Sequence, residues 1–318
     1  MAGWKDDPAF GTVPPVNKDK GGAWNRVIVS STLLPERLAE YERNREALES
    51  GRPLAVATPF GELNRALNGG FRPGKVYVLG GGSGVGKSAL ALRFARAACE
   101  AGHRALYITY EVSPEYCLDR VVSDVAGIQC QDLQNGRAKP SDIEDHLAEL
   151  KRQTEDLVFL DGCLMDDGET LGPGMIEAAL VTLQAQTHTP LVIIDYLQMA
   201  AVASMTNERE VRVRVSRYLE QMFGVARRRR VPVLLLSSIN RAAYDGKPTL
   251  AAFKESGDIE FGTDVAMILD RAPEGEGRQP QNAKPLNLHV LKNRDGANDA
   301  VIPLDFEGRF MRFSEAQR

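Results

Sequence analysis

The string Gly81-Gly82-Ser83-Gly84-Val85-Gly86-Lys87-Ser88 constrains this chain more than any other. It follows an apolar run, Val76 to Leu79, and opens an amphipathic run, Ala89 to Ala101. This is the strand, loop and helix setting in which the pattern G-x-x-x-x-G-K-[ST] binds phosphate. The glycines let the backbone curl until several N–H groups point at phosphate oxygens beside a helix amino terminus. Lys87 is then placed to bridge the β- and γ-phosphates of ATP and Ser88 to hold Mg2+, with Gly81 to Gly86 and Ala89 completing the cradle.

The rest of the chain reads as the scaffold such a loop requires. Short apolar runs at 105–110, 157–160, 191–194 and 231–236 alternate with amphipathic stretches at 114–126, 141–154, 175–186 and 210–230. That alternation predicts an α/β fold with a largely parallel sheet flanked by helices. Later runs at 265–269, 286–291 and 301–304 read as strands without intervening helices. Ser141 and Glu144 have capping-box spacing at the start of the 141–154 helix. The only composition break is near residue 51. It divides the chain into a tail, 1–32, expected to be flexible alone, whose isolated Trp4 and Trp24 read as a loosely packed arm or, alternatively, a docking segment; a polar helix, 33–50, with a sparse apolar side of Leu34, Leu38, Tyr41 and Leu48; and one domain, 51–318.

Composition removes several alternatives. With 43% hydrophobic and 26% charged residues, the 318-residue chain is long enough to bury a substantial core. Its net charge of -4 rules out a global basic field, so any nucleic-acid contact must be local. Cys99, Cys117, Cys130 and Cys163 lack zinc-ligand spacing and read as buried, reduced thiols. No stretch reaches the length of a membrane span and the amino terminus lacks the pattern of a signal peptide, so the expectation is a cytoplasmic protein without a membrane partner.

Two acidic residues fall where nucleotide chemistry needs them. Asp195 closes the run 191–194 at the carboxyl end of a strand, where a carboxylate can meet a phosphate-bound metal. Glu111 ends the run 105–110 at the same edge and is the candidate base for the attacking water; capping of the following turn is its bland alternative. The run Arg227 to Arg230 ends a helix, where cations complement the dipole; contact with another subunit or with nucleic acid is the alternative.

Several further strings resemble, in the right order, the RecA-like ATPase domain of DnaB-type hexameric replicative helicases. Thr58 to Asn64 leading into Gly69 to Gly74 resembles that family's approach to the phosphate loop, and Tyr110-Glu111-Val112-Ser113 its catalytic-glutamate segment. Ile194-Asp195-Tyr196-Leu197-Gln198 is the most family-like string. Ser237-Ser238-Ile239-Asn240-Arg241 resembles the next block, which implies a γ-phosphate sensor region at Ser238, Asn240 and Arg241. The family usually has Gln where Ser238 stands, and a serine hydroxyl spans less distance.

The resemblance implies a single-stranded-DNA grip at Lys254, Glu255 and Gly257, and Lys292 and Arg294 reaching the nucleotide of a neighbouring subunit in a homo-hexamer. It makes the 33–50 helix a linker that docks on an adjacent subunit, a solvent-exposed spacer being the alternative. Only about fifty polar residues precede the core, so the expectation is a chain without the family's amino-terminal collar domain. The activity implied is an ATP-driven DNA helicase in replication, with a loader, initiator or primase as partner. Competing readings are a RecA-like recombination or clock-type ATPase, and a nucleotide-switched assembly or loading factor. The segment 200–210 reads as a candidate loop.

Overall fold

The computed structural model describes residues 30–50, 55–162, 171–184, 188–204, 209–240, 248–253, 257, 259, 262–273 and 282–316. Cys163, Arg241, Lys254, Glu255, Trp4 and Trp24 lie outside the described residues. The chain divides into two units, Met1–Leu54 and Ala55–Arg318. In the first, helix α1 (Ser30–Glu49) begins three residues before the expected start and carries Pro35 in its second turn. Arg37–Glu40 and Arg45–Glu49 ion pairs lace its surface, and Leu34, Tyr41 and Leu48 are exposed.

The second unit is built on one nine-stranded sheet. In chain order its strands are β1 (Val76–Gly81), β2 (His103–Thr109), β3 (Leu157–Asp161), β4 (His188–Asp195), β5 (Val233–Ser238), β6 (Val265–Arg271), β7 (Lys284–Asn293), β8 (Ala300–Glu307) and β9 (Arg312–Glu315). Their spatial order is β3-β2-β4-β5-β1-β6-β7-β8-β9. The first six are mutually parallel, and β7 to β9 continue antiparallel. The central residues of the parallel strands are apolar because successive residues feed opposite cores. Tyr77, Leu79, Tyr107, Leu234 and Leu236 join one, while Val76, Val78, Leu106, Val233 and Leu235 join the other.

Helices cover both faces. The first core takes residues from α2 (Gly61–Ala66), α3 (Lys87–Glu100), α4 (Pro114–Ala126) and α7 (Leu147–Thr154). The second takes them from α8 (Pro173–Gln184), α9 (Leu197–Ser204) and α10 (Val211–Arg229). Between α4 and α7 run two short helices, α5 (Cys130–Gln134) and α6 (Pro140–Glu144). Cys99, Cys117 and Cys130 are buried free thiols, as expected. Among the described residues no helix is long and apolar enough to cross a membrane.

Two local expectations fail for identifiable reasons. The stretch 141–154 forms two helices, α6 and α7, and its capping box does not form. Pro140 opens α6, so Lys139 is the cap and Ser141 falls inside. The helix then breaks because the His146 ring lies 3.0 Å from the Asp142 carbonyl, the acceptor that the His146 N–H would use; that N–H bonds to Ile143 instead. The segment read as a loop from residue 200 is helical through Ser204, and residues 205–208 lie outside the described residues.

Candidate nucleotide site

The carboxyl ends of the parallel strands meet at one edge. Gly81 of β1 stands beside Ser238 of β5, Ile194 of β4 beside Leu235, and Asp195 beside Thr109 of β2. The expected loop, metal-type carboxylate, base and sensor serine therefore share an edge, with β4 and β5 between β1 and β2. This is the crevice where open α/β sheets bind ligands.

The loop leaves β1 at Gly81 and enters α3 at Lys87. Gly86 caps α3 with φ of 107°, a conformation that a side chain resists, and a Cβ there would lie 3.0 Å from the Phe313 ring. Gly81 is confined by close approach: an added Cβ would meet the Leu269 carbonyl oxygen at 2.9 Å. The chain is thus folded to present backbone rather than side chains at the amino terminus of α3.

Lys87 Nζ donates to the carbonyl oxygens of Gly81 and Gly82, each at 2.9 Å. Burial lowers its pKa, and the negative charges of Asp195 and Glu111 oppose that shift. The two carboxylates therefore lie close enough to Lys87 to act on its charge. Asp195 is buried, and its Oδ2 accepts a 2.7 Å hydrogen bond from the Tyr107 hydroxyl. Burial first, then the Asp195 charge, push the Tyr107 hydroxyl well above its ordinary pKa, so it remains a donor. Glu111 is exposed, immediately past β2.

These residues fit ATP and Mg2+. The positive-φ cradle suits phosphate, Lys87 supplies a cation, and Tyr107 occupies Oδ2 of Asp195. Among the described residues no three His, Cys, Asp or Glu side chains cluster, so an ion here would be held largely by phosphate and water besides Ser88 and Asp195.

Two contributors escaped the sequence reading. Tyr107 looked like an ordinary apolar strand residue, and only the β2–β4 pairing brings its hydroxyl to Asp195. Gln198, in the same string as Asp195, donates through Nε2 to Ser237 Oγ at 2.9 Å, and its Oε1 accepts the Ser238 N–H at 3.5 Å. A carboxamide from α9 therefore stands beside Ser238. The Asn240 N–H donates to the Ala252 carbonyl, and Ile239 bridges Phe253. The sensor strand thus pairs directly with the segment that precedes Lys254. Gly257 lies near Arg212 at the start of α10.

Lys292 and Arg294 are elsewhere. Asn293 pairs with Val265, and Val265 with Tyr77, at the amino end of the parallel strands. Tyr77 lies four residues before Gly81, about 13 Å at ~3.3 Å per residue. Lys292 Nζ donates to the Thr263 carbonyl, and Arg294 Nη1 lies 3.7 Å from Asp264. The arginine run at the end of α10 has structural partners: Arg228 and Arg229 pair with Glu177 of α8 at 2.7 and 2.9 Å, and Arg230 is the left-handed cap.

Fold and edge together define a RecA-like phosphate-loop domain. Residues 55–315 match the family model described as DnaB-like helicase C terminal domain, and the chain belongs to that family. It is 29% identical over 271 residues to the replicative DNA helicase DnaB of Leifsonia xyli, covering 84% of this chain and 57% of the relative. It is 25% identical over 275 residues to the DnaB of Geobacillus stearothermophilus, covering 84% and 58%. The chain thus spans somewhat over half the length of these relatives. Among solved structures, one described as an ATPase domain superposes with a TM-score of 0.75 at 19% identity, over 90% of this chain and 99% of that one. A DnaB-like replicative helicase, described with its interactions with primase, gives 0.74 at 19% identity, over 91% and 69%. Those two likenesses concern the fold.

Proposed function

We propose that this chain is the motor of an ATP-dependent DNA helicase that assembles as a homo-hexameric ring, translocates on single-stranded DNA and unwinds duplex during replication. The observation that carries the reading is the separation of its charged groups. Lys87, Asp195 and Glu111 share one sheet edge, while Lys292 and Arg294 stand at the other, out of reach of their own chain's phosphate loop.

In this reading Lys87 binds the β- and γ-phosphates, and Glu111 orients the attacking water and takes its proton. Mg2+, held by Ser88 and Asp195, would neutralise charge on the transferring phosphoryl group. Arg294 and Lys292 of one subunit serve the nucleotide of the next, a contribution worth about 10^3 to 10^5 in rate for an arginine acting in trans. Lys254, Glu255 and Gly257 grip the phosphates of one strand, with backbone N–H groups contributing. The pairing of Ile239 and Asn240 with residues 252–253 gives the nucleotide edge a short path to that grip. Helix 33–50 serves as the linker to an adjacent subunit, and the tail 1–32 as the docking segment for a loader, initiator or primase.

The test is strand displacement on a forked duplex. The parent chain is expected to unwind it with ATP, and Arg294→Ala to abolish turnover while nucleotide binding persists. ATP turnover without strand displacement would move the assignment to a nucleotide-switched assembly factor.

A further inference from the structure

The amino edge of the sheet holds a charged cluster that the nucleotide site does not use. Asp264, just before β6, is buried, yet it is a carboxylate. Its Oδ2 accepts the Val76 N–H at 2.9 Å, and its Oδ1 faces Lys75 Nζ at 3.5 Å and Arg294 Nη1 at 3.7 Å. The Asp264 carbonyl accepts the Arg294 N–H at 3.0 Å. Lys75 also pairs with Asp295 at 2.7 Å. Two carboxylates and two cations thus close on each other between the start of β1 and the end of β7.

A carboxylate is withdrawn from water only at a cost, which fixed partners must offset. Here the partners are the backbone of β1 and an arginine that stands away from its own chain's phosphate loop. Arg294 is held twice, by backbone and by side chain, while its side chain as a whole remains 43% exposed. Lys292 is held by the adjacent Thr263 carbonyl. Thr263 Oγ1 in turn donates to the carbonyl of Ile259, two residues beyond Gly257.

From this arrangement we infer that Asp264 is the positioning residue for Arg294, fixing the direction in which the guanidinium leaves its own subunit to meet the nucleotide of the next. The inference rests on the trans role proposed above. Asp264 lies at the sheet edge opposite its own chain's phosphate loop, so its effect is carried by the arginine it aims.

The experiment is complementation between mixed subunits of the full chain. Asp264→Asn keeps the size of the side chain and an acceptor for Val76. It is expected to lower kcat about 10- to 100-fold, as misplacement of a catalytic group does, with KM for ATP and assembly mass unchanged. Mixed in equal amounts with Lys87→Ala, random head-to-tail assembly sets an intact loop against an intact arginine at about one interface in four, and ATPase should recover accordingly. Arg294→Ala mixed with Lys87→Ala is the reference. Asp264→Glu, which retains the charge with a displaced carboxylate, should lose activity and recover in the mixture as well. Recovery with Arg294→Ala but with neither Asp264 variant would overturn the positioning role and leave the trans arginine standing. Recovery in none of the mixtures would overturn the trans reading and this inference together. Parent-like kcat in both Asp264 variants would overturn the inference alone.

Discussion

Removing the Tyr107 hydroxyl isolates how the buried Asp195 carboxylate is held. Tyr107→Phe keeps the ring, including its edge contact with Phe159 at 5.8 Å between centroids, and deletes only the donor at 2.7 Å from Asp195 Oδ2. Asp195 is 3% exposed, so water cannot readily replace that donor. A hydrogen bond to a charged group contributes about 1.5–3 kcal/mol, and we expect reversible urea unfolding to show a loss of about 2 kcal/mol. In a double-mutant cycle with Asp195→Asn, most of that loss should appear as coupling between the two positions. The carboxylate also loses its orientation, and outer-shell partners of this kind are worth about 10- to 100-fold in metal affinity. The Mg2+ concentration for half-maximal ATPase should rise by a comparable factor. Stability within about 0.5 kcal/mol of the parent, with no coupling to Asp195, would refute the reasoning.

Other expectations follow from the buried charges. Asp124 is buried between Arg96 at 2.8 Å and Arg312 at 3.0 Å, tying α3 and α4 to β9; Asp124→Ala strands the buried Arg96 guanidinium and should cost about 3 kcal/mol in denaturant unfolding. Burial pushes Cys99 and Cys117 up to about 12 from an ordinary value of 9.0. Above pH 9 the unfolded chain therefore releases these two thiol protons while the folded chain retains them, and above pH 10 it also releases those of the buried Tyr77, Tyr107 and Tyr218 hydroxyls. The two thiols alone make stability fall by roughly 2–3 kcal/mol per pH unit from pH 9, the tyrosine hydroxyls steepen the fall above pH 10, and unfolding followed from pH 8 to 12 checks it. Cys117→Ser should flatten the slope by roughly 1.4 kcal/mol per pH unit.

Much of the site could be read from the sequence because its parts are local. A loop of fixed spacing lies between a strand and a helix, and Asp195 and Glu111 each sit at the end of an apolar run. The antiparallel strands β7 and β8 were equally plain, since no helical stretch separates them. What could not be read depends on register or on competition between local bonds. Tyr107 and Asp195 meet only because β2 and β4 are neighbours in space, 88 positions apart in sequence. Asp264 looks like a charge preceding a strand until the β6–β7 pairing brings Arg294 to it. The break between α6 and α7 turns on one imidazole competing for one carbonyl. The short elements α2, α5, α9 and β9 carry too few periods of pattern to register.

In the proposed motor one subunit completes the catalytic site of the next while the ring grips DNA. That arrangement is tested most directly by steady-state ATPase over a range of protein concentrations, with and without single-stranded DNA, using Glu111→Gln as the blank. The account predicts turnover per chain that rises cooperatively with protein concentration and rises further with DNA. Turnover per chain that is constant with concentration and indifferent to DNA would contradict it.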